Sequence, residues 1–72
     1  MEQTTYPPTD GAELRVSREH AGVSQDEVAE RFDPPTTRQR LSRMERDGRL
    51  VSFVVAAQYR AALAAAVAAK VA

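Results

Sequence analysis

The 72-residue sequence contains no cysteine and a single histidine, His20, and these two shortages limit the sites it can build. Without cysteine there is neither a disulfide framework nor a thiolate metal site. A zinc ion needs about four nitrogen, sulfur or oxygen ligands, which one histidine rarely completes. No nucleophile with a paired base and no phosphate-binding loop is evident either. We therefore expect no metal, no cofactor and no enzymatic activity.

Long hydrophobic runs are also missing. No stretch of about 18 apolar residues is free of charges and amides, so no membrane-crossing segment is predicted. The first residues carry Glu2 but no lysine or arginine, which is unlike a secretion signal. The expectation is a soluble cytoplasmic protein.

Charge is balanced over the whole chain but unevenly distributed along it. Ten basic and ten acidic residues cancel, and seven of the acids lie within the first thirty residues. Residues 36–49, in contrast, hold five arginines and two acids, a net charge of +3. Because exposed charges act over about a Debye length, such a segment attracts phosphates even in a neutral protein.

The first half of the chain carries clear helix signals. The length of the whole chain supports one domain. Residues 1–9 are predicted to form a flexible arm, and residues 10–72 are predicted to form the folded domain. Asp10 is expected to cap a first helix that Gly22 ends. Ser24 and the glutamate three residues later form a capping box for a second helix, which the sequence Asp-Pro-Pro at 33–35 then breaks.

Two further helices follow the double proline. Thr36 or Thr37 would cap the third, and Gly48 would end it. Ser52 would cap a fourth, because ten of the last seventeen residues are alanine, the strongest helix former. No strand pattern is convincing. The prediction is an all-α bundle of four to five helices whose C-terminal helix, at 51–72, is rich in alanine.

An apolar stripe recurs every four residues along this last helix. Neighbouring alanines would permit the close approach of a second helix, which makes the stripe a candidate dimer seam. Packing onto the protein's own domain is the alternative. The stripe consists of Tyr59, Leu63, Val67 and Val71.

The third helix presents polar side chains outward. Leu41 and Met44 lie three residues apart and are expected to face the core, and the opposite face has no acid until Glu45. Arginine can bind O6 and N7 of guanine, and glutamine can bind N6 and N7 of adenine. These side chains predict contacts with duplex DNA. The candidates in and beside the helix are Thr36, Thr37, Arg38, Gln39, Arg40, Arg43 and Arg49.

Two stretches resemble the Cro/Xre (lambda-repressor-like) helix-turn-helix family. The first, residues 14–29, contains Gly-x-Ser-Gln-x-x-x-Ala, in which Ala29 is the small residue where the two helices touch. The second, residues 36–48, is similar to the recognition helix and its exit. The resemblance implies that Gln25 contacts the DNA backbone and braces the recognition helix.

The same resemblance implies roles for the third helix. Arg38 and Gln39 match the main base-reading positions, which Arg43 joins one turn later, whereas Thr37 and Arg40 fit phosphate or base-edge contacts. It also implies a structural pair, Arg18 with Glu45, that ties the first helix to the end of the third. The turn at 33–35 is about two residues longer than the family's, and Ser17 replaces an apolar residue of the family pattern.

The function expected from these observations is a sequence-specific regulator of transcription that binds double-stranded DNA. It would be a repressor or Cro-like protein, of the kind encoded by phages and mobile elements, with the recognition helix at about 37–45 in the major groove. It would bind a palindromic operator as a homodimer. It would be located in the cytoplasm, associated with the nucleoid; if a phage encodes it, this would be the cytoplasm of the host. No small-molecule substrate is expected.

Two alternatives remain open at this point. One is a protein-interaction module, such as an antitoxin or antirepressor, that uses the C-terminal helix to bind its partner. The other is a winged helix-turn-helix regulator, because residues 41–51 also fit that pattern. The winged fold would require a strand hairpin after Gly48.

Overall fold

The computed structural model describes residues 7–71 and confirms the all-α fold with four helices. Residues 1–6, the larger part of the predicted arm, lie outside the described residues, so the division into arm and domain stays a prediction. Two very short strands accompany the helices. In chain order the elements are β1 (Thr9–Asp10), α1 (Gly11–Ala21), α2 (Gln25–Glu30), α3 (Arg38–Met44), β2 (Leu50–Val51) and α4 (Phe53–Val71).

The helix boundaries follow the predicted caps. The carboxylate of Asp10 accepts a hydrogen bond from the backbone N–H of Ala12 at 2.9 Å, and α1 ends at Gly22, whose φ of +75° lies in the left-handed region. The Ser24–Glu27 capping box is complete, with hydrogen bonds of 3.0 and 3.1 Å in the two directions. These caps satisfy backbone donors that no helical carbonyl can reach.

The caps of the last two helices are also as predicted. The Thr37 hydroxyl accepts from the backbone N–H of Arg40 at 3.2 Å, which selects Thr37 over Thr36. The Ser52 hydroxyl accepts from the N–H of Val55 at 3.3 Å at the start of α4. Local sequence alone therefore determines where all four helices begin.

The prediction that Gly48 ends the third helix was wrong, since α3 ends at Met44. Three residues, 45–47, separate the two positions and form a turn. The reason is a contact that is distant in sequence: the backbone N–H of Gly48 donates to the carboxylate of Asp10 at 3.2 Å. The turn is thereby attached to the beginning of α1.

The two strands were not predicted either. β1 and β2 pair antiparallel, with Thr9 opposite Val51 and Asp10 opposite Leu50. Two residues are too few to show an alternating pattern, so sequence periodicity cannot reveal them. No other strand occurs in residues 7–71, and β2 leads directly into α4. The strand hairpin that the winged alternative requires after Gly48 is therefore not formed.

The core forms where α4 packs against α1 and α2, while α3 packs against α2. Tyr59 is its largest fully buried side chain, and Phe32 meets the Tyr59 ring edge-on with ring centroids 6.2 Å apart. Ala29 is buried on α2, which packs against α3, so the small residue stands where the resemblance placed it. The remaining core side chains are Leu14, Val23, Val28, Leu41, Val51, Ala56, Ala62 and Ala66.

The structure corrects the predicted stripe on α4, which is not one exposed face. Tyr59 is fully buried in the protein's own core, whereas Val71 is 82% exposed. Leu63 and Val67 are partly buried and pack against the same core. A repeat of four residues drifts by about 40° per step around a helix of 3.6 residues per turn. The stripe therefore winds from the core to solvent.

By length and composition alone, α4 would qualify as a helix able to cross a membrane, although no membrane-crossing segment is predicted from the sequence. One such helix is weak evidence, because helices that belong to soluble domains meet the same criteria. Here α4 contributes Ala56 and Tyr59 to the core that the other helices share.

Candidate nucleic-acid interface

An open polar groove of about 530 Å³ lies between α3 and the first residue of α2. Three arginines line it, and no carboxylate does. The groove is therefore a basic surface on a protein whose total charge is zero. Its lining consists of Gln25, Arg38, Gln39, Ser42, Arg43 and Arg46.

Helix geometry explains why these side chains converge. Each residue advances about 100° around a helix, so positions 38, 39, 42 and 43 fall within an arc of about 140°. Leu41 lies outside this arc and is fully buried. The cap at Thr37 and the apolar anchor at Leu41 thus orient the polar arc toward solvent. The structure brings Arg38, Gln39 and Arg43 together in the groove with Gln25, as the sequence predicted.

Other predicted contacts lie elsewhere on the surface. Arg40 is about 160° around α3 from Arg38, and it borders a second depression together with Thr36 and the turn at 33–35. Arg49 borders a third depression beside Leu50. Neither of these depressions includes a residue of the groove. The structure therefore divides the predicted outward surface into a groove and two flanks.

Two groove residues were missed by the sequence analysis. Ser42 and Arg46 follow Arg38 by four and eight residues, which is one and two helical turns. This spacing is visible in the sequence and could have identified both. Among the sequence predictions, Arg46 appears only as part of the basic segment at 36–49.

Behind the groove, the predicted pair of Arg18 and Glu45 forms a buried, two-point ion pair. Arg18 Nε donates to Glu45 Oε2 at 2.9 Å, and Arg18 Nη2 donates to Glu45 Oε1 at 3.0 Å. Glu45 is only 2% exposed. It is the C-cap residue that follows Met44, so the pair fastens the end of α3 to α1.

Two more donors complete the environment of Glu45. Gln25 Nε2 donates to Oε1 at 3.2 Å, and the Tyr59 hydroxyl donates to Oε2 at 2.5 Å. An ionised carboxylate offers about four lone-pair positions, and here four donors from three helices occupy them. In the described part of the chain, no buried side-chain nitrogen or oxygen lacks a hydrogen-bond partner.

This environment keeps Glu45 ionised. Burial favours the neutral acid and raises the pKa of Glu45, but the hydrogen bonds from Arg18, Tyr59 and Gln25 together outweigh burial and hold the pKa below its usual value. The same contacts raise the pKa of Arg18, chiefly through its hydrogen bond to Glu45. Burial, followed by the hydrogen bond to Glu45, raises the pKa of Tyr59. All three groups therefore keep their charge states at neutral pH.

A family model described as a helix-turn-helix domain matches residues 11–71, nearly the whole described chain. The chain belongs to the helix-turn-helix family. Its type is Cro/Xre-like, as the sequence resemblance predicted. Comparison with curated proteins and with solved structures finds no significant match.

Membership assigns roles to the helices described above. α2 is the first helix of the helix-turn-helix unit, and α3 is its second helix, the one that such proteins use for recognition. The family implies DNA as the partner and a DNA-binding regulator as the kind of protein. Within residues 7–71, no cluster of three potential metal ligands occurs.

Proposed function

We propose that this protein is a sequence-specific regulator of transcription, of the repressor or Cro-like kind, that inserts α3 into the major groove of DNA. One observation carries the proposal: the groove-lining face of α3 holds two arginines and a glutamine, a third arginine follows just beyond the helix, and no acid lines the groove. The major groove is about 12 Å wide and admits one helix. An exposed basic helix with this face fits that space chemically and sterically.

The side chains divide into two groups by the chemistry they offer. Arg38 and Arg43 can each donate two hydrogen bonds to guanine, and Gln39 can exchange two with adenine. Ser42 can reach either kind of base. One correct two-point contact discriminates between bases by about 1–3 kcal/mol. These four residues are therefore the proposed base readers.

Residues at the edges of the groove are proposed to contact phosphates. Gln25 is at the first position of α2, and Arg46 lies just beyond the end of α3. Arg40 and Arg49 lie on the flanks and would reach phosphates rather than bases. Such contacts set register and orientation but carry no sequence information.

A palindromic operator bound by two copies completes the proposal. Two-fold related half-sites about 34 Å apart require a pair of recognition helices. The strand-to-helix junction offers an apolar surface for this purpose, because Leu50 and Val54 are 66% and 63% exposed. A domain of this size has a modest core, so a second copy would also add stability.

Selection of bound duplexes from a random pool tests the function directly. We expect a palindromic consensus, with binding that weakens steeply between about 50 and 200 mM salt. Sedimentation of the complex should give two copies per duplex. Absence of affinity for any duplex at about 50 mM salt would overturn the proposal.

Charge reversal identifies the surface responsible. Arg38→Glu and Arg43→Glu should abolish measurable operator binding, since each replaces a base contact by repulsion of phosphates. Arg60→Glu is the matched control, because Arg60 is an exposed arginine of α4 outside the groove. Equal losses for all three variants would indicate a general charge effect and would contradict reading by α3.

A further inference from the structure

The Glu45 carboxylate connects the groove to parts of the protein that DNA does not reach. One of its oxygens holds Gln25, which lines the groove, and the other holds the hydroxyl of Tyr59, which is fully buried. Arg18 bridges both oxygens from α1. A groove side chain and a core side chain therefore share one acceptor group.

This contact fixes the orientation of the Gln25 amide. A carboxylate only accepts hydrogen bonds, so the amide must turn its nitrogen toward Glu45. One of its two N–H donors is then occupied. The second N–H and the carbonyl oxygen remain for the groove, and their direction is set by Glu45 rather than by solvent.

We propose that Glu45 and Tyr59 are positioning residues for DNA binding, which act by holding Gln25 so that its second N–H meets a phosphate oxygen. The inference rests on the proposed function. Tyr59 keeps the carboxylate in place, Glu45 holds the amide, and Gln25 makes the contact. Two residues that never touch DNA thus contribute to its affinity.

A double-mutant cycle on the dissociation constant tests the proposal, with the selected operator as the probe and fluorescence anisotropy as the measurement. Glu45→Gln should weaken binding about tenfold in the wild-type background, but less than about twofold when Gln25→Ala is already present. The effect should disappear because the proposal makes Glu45 act on DNA binding through Gln25. Equal losses in the two backgrounds would overturn the inference.

Salt dependence gives a second readout, because a displacement of α3 that lost an arginine–phosphate contact would reduce the slope of log affinity against log salt. Gln25 is uncharged and releases no counterion, so Gln25→Ala should weaken binding and keep the wild-type slope. Glu45→Gln should do the same. A reduced slope for Glu45→Gln, beside a wild-type slope for Gln25→Ala, would refute the positioning role.

Two variants separate positioning from loss of stability. Tyr59→Phe retains the ring and the buried ion pair and should weaken operator binding about threefold, again only when Gln25 is present. It keeps the test decisive if Glu45→Gln fails to fold. Leu63→Ala is the control, because Leu63 packs against the core from α4, whereas the hydrogen bonds to Glu45 come from Arg18, Gln25 and Tyr59. It should lower the melting temperature and leave the dissociation constant within about twofold.

The two proposals fail in different ways. If the wild-type protein binds no duplex at low salt, the proposed function is wrong and this inference falls with it. If the wild-type protein binds a palindrome but Tyr59→Phe and Glu45→Gln have additive effects with Gln25→Ala, only the positioning role is wrong.

Discussion

Removal of Arg18 should destabilise this protein far more than removal of an exposed charge. In Arg18→Met, Glu45 keeps Tyr59 and Gln25 as donors but loses its positive partner while it remains buried. Removal of one member of a buried pair costs about 3–5 kcal/mol, because the other charge is left uncompensated. A domain of this length has a free energy of unfolding of about 4–11 kcal/mol. The substitution is therefore expected to remove a large part of the free energy of unfolding.

Urea denaturation at pH 7, followed by circular dichroism, measures this loss. Arg15→Met is the matched control, because Arg15 pairs with Asp47 at 2.9 Å while both side chains are largely exposed, at 40% and 75%. An exposed pair contributes only about 0–1 kcal/mol. A loss in Arg18→Met no greater than that in Arg15→Met would refute the reasoning.

Acidification of the same two proteins tests the electrostatic cause. The pKa of Glu45 is lower in the folded state than in the unfolded chain, so its contribution is complete above the unfolded pKa and is lost as pH falls through the folded one. The difference in unfolding free energy between wild type and Arg18→Met should therefore narrow in acid. A difference that stays constant from about pH 7 to pH 3 would point to lost packing rather than lost charge compensation.

Urea denaturation of three other variants tests the contacts that hold α1, α2 and α3 in place around the groove. Gly11→Ala should cost at least about 2 kcal/mol, since its Cβ would lie 1.9 Å from the carbonyl oxygen of Met44, a backbone atom that cannot rotate away; a neutral result would contradict that contact. Ser24→Ala should cost about 1 kcal/mol through loss of the α2 cap, and Ser17→Ala, on an exposed side chain, should cost clearly less. Ala29→Leu should cost about 1–3 kcal/mol by forcing α2 from α3, and an unchanged midpoint would show that the two helices are not in close contact.

Features fixed by neighbouring residues were predictable from the sequence. The N-caps at Asp10, Ser24, Thr37 and Ser52 involve side chains and backbone groups two or three residues apart, so sequence spacing determines them. The polar arc of α3 follows from helical periodicity in the same way. The pair of Arg18 and Glu45 is distant in sequence, but the family resemblance predicted it.

Features fixed by distant contacts were not predictable. The early end of α3 depends on a hydrogen bond between Gly48 and Asp10, and the strand pair depends on residues about forty positions apart. The burial of Tyr59 depends on Phe32 and Glu45, whose positions the sequence alone does not give. Helix geometry places Arg40 outside the groove, but only when it is known which face of α3 lines the groove.

The Glu45 contacts also determine where binding specificity can change without loss of the fold. Gln25 lines the groove but is bonded to the buried carboxylate, so its replacement affects both DNA contact and the packing of α1, α3 and α4. Arg38, Gln39, Ser42 and Arg43 are exposed and contribute nothing to the core. Surface substitutions of this kind usually change stability by less than about 0.5 kcal/mol, whereas one base contact is worth about 1–3 kcal/mol. If α3 reads bases as proposed, substitutions at these four positions should change the operator sequence that is bound and retain the fold, whereas Gln25 is constrained by its bond to the interior.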